Sequence, residues 1–270
     1  MSLAKATRTV SIARLEGAVA PEVRDDAIAA EEPLEIRVGG HSVAVVMRTP
    51  GHDRELAAGF LVTEGIVRRR EEVMDLVYCR NDGGQPEENI LDVLLAPGVA
   101  VDLARLTRHI FTSSSCGICS KATIDAVRTQ FPPLAAPLSP RRAVLAALPE
   151  KLRAAQAAFA ATGGLHASAL FDTAGNLQVV REDVGRHNAL DKAVGHAFFA
   201  ERLPLAGAVL LVSGRVSFEI MQKALAAGIP CVAAISAPTS AAVEFAQASG
   251  QTLVGFLRGE RMNVYAGTVA

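Results

Sequence analysis

Three stretches late in the chain share one order, strand then turn then helix, and this order limits the possible folds most. They are VVREDVGRHNALDKAVG, VLLVSGRVSFEIMQKALAAG and CVAAISAPTSAAVEFAQASG. The second and third open on continuous apolar runs of strand length, the pattern of strands covered on both faces. Strands alternating with helices predict parallel pairing and a layered α/β sheet. Just upstream, HASALFD and NLQVVRED read as two strands paired around a turn at residues 173–176. Before them, residues 144–161 form an Ala-rich helix that Gly163-Gly164 ends.

The first half has another rhythm, mixed α and β. Residues 9–15 alternate like a strand. PLEIRVGGHSVAVVMR is two alternating runs around Gly39-Gly40, a hairpin signal. After Pro50-Gly51, HDRELAAGFLVTEGI sets Leu56, Phe60 and Leu61 on one helical face, with Asp53 and Glu55 suited to its start and Gly65 to its end. Residues 73–79 and 89–95 read as two more strands around the polar loop NDGGQPEEN. The segment PPLAAPLSP, residues 132–140, holds four prolines and is the best candidate for a boundary. The expectation is a mixed α/β domain over residues 1–131 and a layered α/β domain over residues 141–270.

The formal net charge over 270 residues is −1. No global field therefore draws the chain to nucleic acid or to an anionic membrane, and an anionic ligand has to be held by local positive groups. Four cysteines do not make a disulfide scaffold. The stretch MSLAKATRTVSIARL lacks the apolar run of a secretory signal. The longest apolar segments, residues 206–212 and 231–235, are too short to span a bilayer. These features point to a cytoplasmic protein whose thiols start reduced.

In an open α/β sheet, ligands collect beyond the carboxyl ends of the strands. Those ends carry three polar turns: Arg181-Glu182-Asp183 leading to Arg186-His187-Asn188, then Ser213-Gly214-Arg215, then Ser236 with Thr239-Ser240. Each enters a helix N-terminus, where free N–H groups favour an anion, and arginine grips phosphate through paired hydrogen bonds. Arg258 and Arg261, flanking Gly259, add a fourth group. Any one turn is more simply a helix cap or a solvated ion-pair network; three on one edge favour a nucleotide or phosphate pocket. His166 and His187 have no second metal ligand close in sequence, and HASA lacks the acidic residue of a zinc deaminase motif, so no metal is expected.

The segment FTSSSCGICSKATIDAV sets Cys116 and Cys119 at the start of an expected helix running to about residue 131. A C-x₂-C is half of a tetrahedral zinc site, but Cys79 and Cys231 are isolated and supply no second half. A thioredoxin-like dithiol would follow a strong strand, and RLTRHIFTSSS does not read as one. A nucleophilic or sulfur-carrying thiol suits Cys116, since a helix N-terminus lowers a thiol's pKa and His109, Arg108 and Lys121 add positive charge nearby in sequence. Cys231, in an apolar run, reads as core.

Taken together, RTPGHDRELAAGFLVTEGI, FTSSSCGICS, REDVGRHNALDKAVG, SGRVSFEIMQKA and GFLRGERMNVY resemble the FdhD family of formate dehydrogenase accessory sulfurtransferases. The resemblance spans most of the chain. It implies a protein that takes sulfur from a cysteine desulfurase as a cysteine persulfide. That sulfur passes to the molybdenum bis-molybdopterin guanine dinucleotide cofactor before the cofactor enters formate dehydrogenase. The persulfide cysteine falls on Cys116 and its companion on Cys119. The cofactor-binding string falls on Phe256, Leu257, Arg258, Gly259, Glu260 and Arg261, with Ser213, Gly214, Arg215 and His187 as further pocket residues. Guanine nucleotides are then natural stand-ins for the cofactor. The resemblance also implies a cytidine-deaminase-like second half and a homodimer. Two other readings stay open: a molybdenum-cofactor chaperone without obligatory sulfur transfer, and a dithiol oxidoreductase.

Overall fold

The chain begins with a short helix, α1 (Leu3–Ala6), and an antiparallel ribbon, β1 (Thr7–Arg14) and β2 (Glu22–Ala29). The structure, a computed structural model, describes residues 3–17, 20–81, 83–99, 101 and 131–270. The sequence pattern predicts β1. It misses β2, whose EVRDDAIA is too charged to show an alternation.

Strands β3 (Glu32–Val38) and β4 (His41–Arg48) form the expected hairpin. Gly39 and Gly40 both adopt positive φ at its turn, which explains why glycine stands there. Helix α2 (Asp53–Thr63) follows, then β5 (Val73–Arg80) and β6 (Pro86–Leu95). The four strands make one sheet in the order β4-β3-β6-β5. Its inner face, with Leu34, Ile36, Leu91 and Val93 fully or nearly fully buried, packs on Leu56 and Leu61 of α2. Asp53 at the start of α2 does more than suit a helix dipole. It is buried and takes both forks of Arg48, at 3.0 and 3.1 Å, plus the Tyr78 hydroxyl at 3.2 Å. This fixes the turn TPGHD against the sheet.

After the proline-rich segment come α3 (Arg142–Ala155) and α4 (Ala157–Thr162), then β7 (His166–Phe171), β8 (Leu177–Asp183), α5 (Arg186–Phe199) and β9 (Val209–Val212). The chain closes with α6 (Phe218–Ala226), β10 (Cys231–Ala234), α7 (Ser240–Ser249), β11 (Thr252–Arg258) and β12 (Arg261–Ala266). The single Ala-rich helix expected over residues 144–161 is two, broken where Gln156 leaves helical dihedrals. The second still ends at Gly163 in the left-handed conformation.

The six strands β7 to β12 form one sheet in the order β12-β11-β10-β9-β7-β8. β9, β10 and β11 pair in parallel, as the alternation predicts, and all of β9 and β10 is buried. The first unit departs from the prediction. β7 is inserted between β8 and β9, antiparallel to both. A two-strand turn at residues 173–176 brings β8 back to the outside, so β8 runs in the direction of β9 without touching it. The result is a mixed α/β sheet. One face is covered by α3, through Leu145, Leu148 and Leu152 against Phe171, Leu211 and Val254. The other is covered by α5, α6 and α7.

The two halves share a core. The largest apolar cluster joins Leu34, Leu56 and Leu61 to Leu170, Leu190, Val194 and Leu210. Helices α2 and α5 cross with their backbones touching. A Cβ at Gly195 would lie 2.6 Å from the Glu55 carbonyl carbon, and one at Gly59 just as close to that of Asp191. Only glycine permits this approach from either side. Buried ion pairs bracket the crossing: Lys223 meets Asp191 at 2.9 Å, with Thr63 accepting from the same amine at 3.0 Å. Burial opposes the charge on Lys223, but Asp191 and Glu64 outweigh it and push its pKa up.

Candidate functional site

Because β9, β10 and β11 are parallel and β7 is reversed, one sheet edge collects the ends of five strands. It holds the carboxyl ends of β8, β9, β10 and β11 and the start of β7 at His166. The three polar turns predicted to line one edge do so. The β9 and β10 turns also run side by side, since Val216 N donates to the Ala237 carbonyl and Thr239 N to that of Val216.

Much of the string REDVGRHNALDK holds this edge in place rather than facing outward. Asp183 is fully buried and pairs with the equally buried Lys192 at 2.6 Å. The same carboxylate accepts from Thr49 N at 3.1 Å, Gly185 N at 2.8 Å and Asn188 Nδ2 at 3.0 Å. Lys192 also donates to the Thr49 carbonyl at 2.8 Å, and Asn188 to that of Met47 at 2.8 Å. The turn into α5 is thus bolted to the loop RTPGHD of the first half. Glu182, likewise buried, accepts from Ala158 N and Phe159 N at the start of α4. Arg181 forks onto Glu55 of α2, which His52 and His196 also approach at 3.1 Å each. Burial works against the Glu55 charge, yet Arg181 and His52 outweigh it and hold the carboxyl well below the usual range.

The remaining groups of the edge face one another. His187 lies with Nε2 3.2 Å from Glu219 Oε2 and 3.4 Å from Ser217 Oγ. Burial, reinforced by Lys223 and Arg186, pushes its pKa down to about 3, so it is a neutral imidazole at physiological pH. His166 is also shifted down, by burial and then by Arg186, with Arg215 adding to the effect and Asp183 opposing it. A Cβ on Gly214 would stand 3.2 Å from His166 Nδ1 and 3.8 Å from Arg186 Cβ, so the glycine keeps that corner open. Ser213 Oγ accepts from Ala167 N at 2.8 Å, which makes it a clasp between β7 and β9. Thr239 caps α7 by accepting from Ala242 N.

The string from Phe256 to Arg261 closes the far end of the same edge. Phe256 N donates to the Ser236 carbonyl at 3.1 Å, and Phe256 itself has a positive φ, which turns its ring outward. Leu257 points back into the core under α3, so it supports rather than lines the edge. Arg258, Glu260 and Arg261 are exposed around Gly259, whose φ is also positive. β11 lies three strand spacings from β7, which is about 14 Å at ~4.8 Å per spacing. The structure thus brings His166, Arg186, His187, Gly214 and Arg215 together and sets Arg258 and Arg261 at the far end of the same edge.

Cys116 and Cys119, with the helix expected to follow them, lie outside the described residues. Cys231 is core, as predicted, and burial pushes its thiol up to about 12. Among the described residues no cluster of three or more His, Cys, Asp or Glu is placed to hold a metal. No helix there is long and apolar enough to cross a membrane. A concavity of about 190 Å³ lies away from the polar edge, between α6 and α7, lined by Phe131, Pro133, Phe218 and Phe245.

The model of the FdhD/NarQ family matches residues 29–269. The sulfur carrier protein FdhD of Mycolicibacterium paratuberculosis is 54% identical over 246 residues, covering 90% of each chain. That of Streptomyces coelicolor is 54% identical over 257 residues, covering 93% of this chain and 90% of the other. The chain belongs to the FdhD/NarQ family. The fold agrees too. A crystal structure from Desulfotalea psychrophila, of a protein described as a formate dehydrogenase accessory protein, superposes with a TM-score of 0.76 at 23% identity. It covers 97% of this chain and 98% of that one. In this FdhD/NarQ chain the long strings that carry the resemblance have two physical jobs. RTPGHD and REDVGRHNALDK tie the halves together, while His187, Gly214-Arg215 and Arg258 to Arg261 lie along the polar edge. Sequence reasoning had no local signal for the first job, because Thr49 and Asp183 are 134 positions apart.

Proposed function

We propose that this protein is a sulfur carrier for formate dehydrogenase maturation. It takes sulfur from a cysteine desulfurase as a persulfide on Cys116. It delivers that sulfur to its cargo, the molybdenum bis-molybdopterin guanine dinucleotide, before the cargo enters formate dehydrogenase. The observation that carries this reading is the 54% identity, across 90% of the chain, to relatives named sulfur carrier protein FdhD. Loading is a thiol–persulfide exchange. The Cys116 thiolate attacks the sulfane sulfur of the donor, a new S–S bond forms, and the donor cysteine leaves as a thiolate.

The polar edge supports the cargo half of the reading. An anionic dinucleotide needs positive groups and open backbone at both ends. Arg215 with Gly214 after β9, and Arg258 with Gly259 and Arg261 after β11, offer these two strand spacings apart, about 10 Å. His187, held neutral, can hydrogen-bond a nucleotide without adding charge. Ser213, Phe256, Leu257 and Glu260 complete the proposed pocket, Ser213 and Leu257 as its supports. We also assign the second half to the cytidine-deaminase-like folds, on its mixed sheet with helices on both faces. It lacks deaminase chemistry, since His166 is followed by Ala-Ser-Ala. A cytoplasmic homodimer belongs to the same proposal.

The test is complementation. In cells lacking their own carrier, the wild type restores formate dehydrogenase activity and Cys116→Ala does not, with the thermal melt of the purified variant unchanged. Full activity of Cys116→Ala removes the proposal.

A further inference from the structure

The charges of the polar edge do not balance among the described residues. Each carboxylate near the start of α5 already has protein partners: Glu182 the N-terminus of α4, Asp183 the Lys192 amine and three further donors, Glu219 the His187 ring. The ion pairs here join Arg181 to Glu55 and Lys192 to Asp183, and among the described residues none includes Arg186 or Arg215. Arg186 Nε is moreover buried with no hydrogen-bond partner among the described residues. A buried guanidinium N–H left without an acceptor is costly, so an acceptor from a bound anion is the natural completion. The unpartnered groups adjoin one another, with Gly214 packed against both the His166 ring and the Arg186 stem.

We propose that Arg186, Arg215 and His166 form a subsite for a diphosphate group carrying at least two negative charges, and that its occupation takes up a proton at His166. This rests on the cargo reading above and says which end of the edge takes phosphate. From β8, Asp183 faces His166; from α5, Arg186 and His187; from the β9 turn, Arg215. In the empty site burial and two cations hold the ring neutral. A docked dianion reverses the sign of the local field, and a protonated ring then pairs with it. The proton comes from solvent, so affinity falls as pH rises through the titration of the complex.

Titration calorimetry with inorganic pyrophosphate, in two buffers of different ionisation enthalpy, reads this directly. The wild type takes up as much as one more proton per site than His166→Gln, a difference that removes the ligand's own protonation. Arg186→Gln weakens pyrophosphate by about tenfold or more, the size of one charge-assisted hydrogen bond, with an unchanged melt because Arg186 makes no hydrogen bond or ion pair among the described residues. Equal proton uptake in wild type and His166→Gln, or unchanged affinity in Arg186→Gln, overturns the subsite. Competition by guanosine diphosphate but not by inorganic phosphate assigns the site to a diphosphate; the reverse order contradicts that source. Sulfur loading of Cys116 is measured alongside. A protein that loads sulfur yet binds no pyrophosphate loses the subsite and keeps the carrier reading. One that binds pyrophosphate and takes no sulfur does the opposite.

Discussion

Replacing Lys192 by Met tests how the edge is held. The Lys192 amine and the Asp183 carboxylate are both fully buried, 2.6 Å apart. Removing one partner of a buried pair costs about 3–5 kcal/mol, because the other charge stays behind in low dielectric. Two local features set where in that range the cost falls. Asp183 keeps its hydrogen bonds from Thr49 N, Gly185 N and Asn188, which soften the loss. The Thr49 carbonyl, however, loses the Lys192 amine as a donor and is left buried. A value near 4 kcal/mol follows. At about 2–4 °C per kcal/mol for a chain of this size, that is a drop of roughly 8–16 °C in Tm. Asp183→Asn strands the amine and is predicted to cost about as much. The double variant removes both charges and is predicted to cost clearly less than the sum, with a coupling of about 2–3 kcal/mol. Urea unfolding of the four proteins measures the cycle. If Lys192→Met costs under about 1 kcal/mol, or the two changes add, the pair does not hold the edge and the account of REDVGRHNALDK is wrong.

Other perturbations follow from the same contacts. Gly195→Ala puts a methyl 2.6 Å from the Glu55 carbonyl carbon, where about 3.5 Å is ordinary. The methyl also overlaps the Glu55 carbonyl oxygen, so the helices must part by more than about 1 Å, and a loss of about 3 kcal/mol or more is expected in chemical unfolding, whereas Gly207→Ala, with open space around it, changes little. Glu55 has a folded pKa below its unfolded value of about 4.5, so its contribution is present above that value and fades as pH falls further. Glu55→Gln therefore lowers stability at pH 7 and less so near pH 3, where part of the contribution is already gone; equal losses at both contradict the assignment. Cys231→Ala leaves sulfur loading intact and lowers only stability, by about 1–2 kcal/mol, since it is core; loss of loading in a folded variant refutes that role.

Local signals in the sequence reach far into this fold. Gly39-Gly40 announces the first hairpin because only such residues take the turn's positive φ. The apolar runs 209–212 and 231–234 announce parallel strands because both faces are covered. Strand order is another matter. Nothing in HASALFD says that β7 slips between β8 and β9, since a strand carries the same alternation whichever neighbour it pairs with. Charge reads poorly too. Asp183, Asp191, Lys192 and Lys223 look like surface residues until their partners, far off in sequence, are in place. The polar turns of the site are legible because loop residues at strand ends have few structural duties. Even so, Ser213 and Thr239 turn out to bond within the protein, and Arg186, with its unpartnered Nε, is the better candidate ligand group.

The central claim is that sulfur passes through Cys116. Incubating the protein with a cysteine desulfurase and ³⁵S-labelled cysteine, then mapping the label by peptide mass analysis, tests it most directly. The account predicts a reductant-labile label on Cys116 that leaves the protein when the molybdenum cofactor is added. A protein that binds the cofactor while Cys116 carries no label, or a label that stays on Cys116 when cofactor arrives, contradicts it.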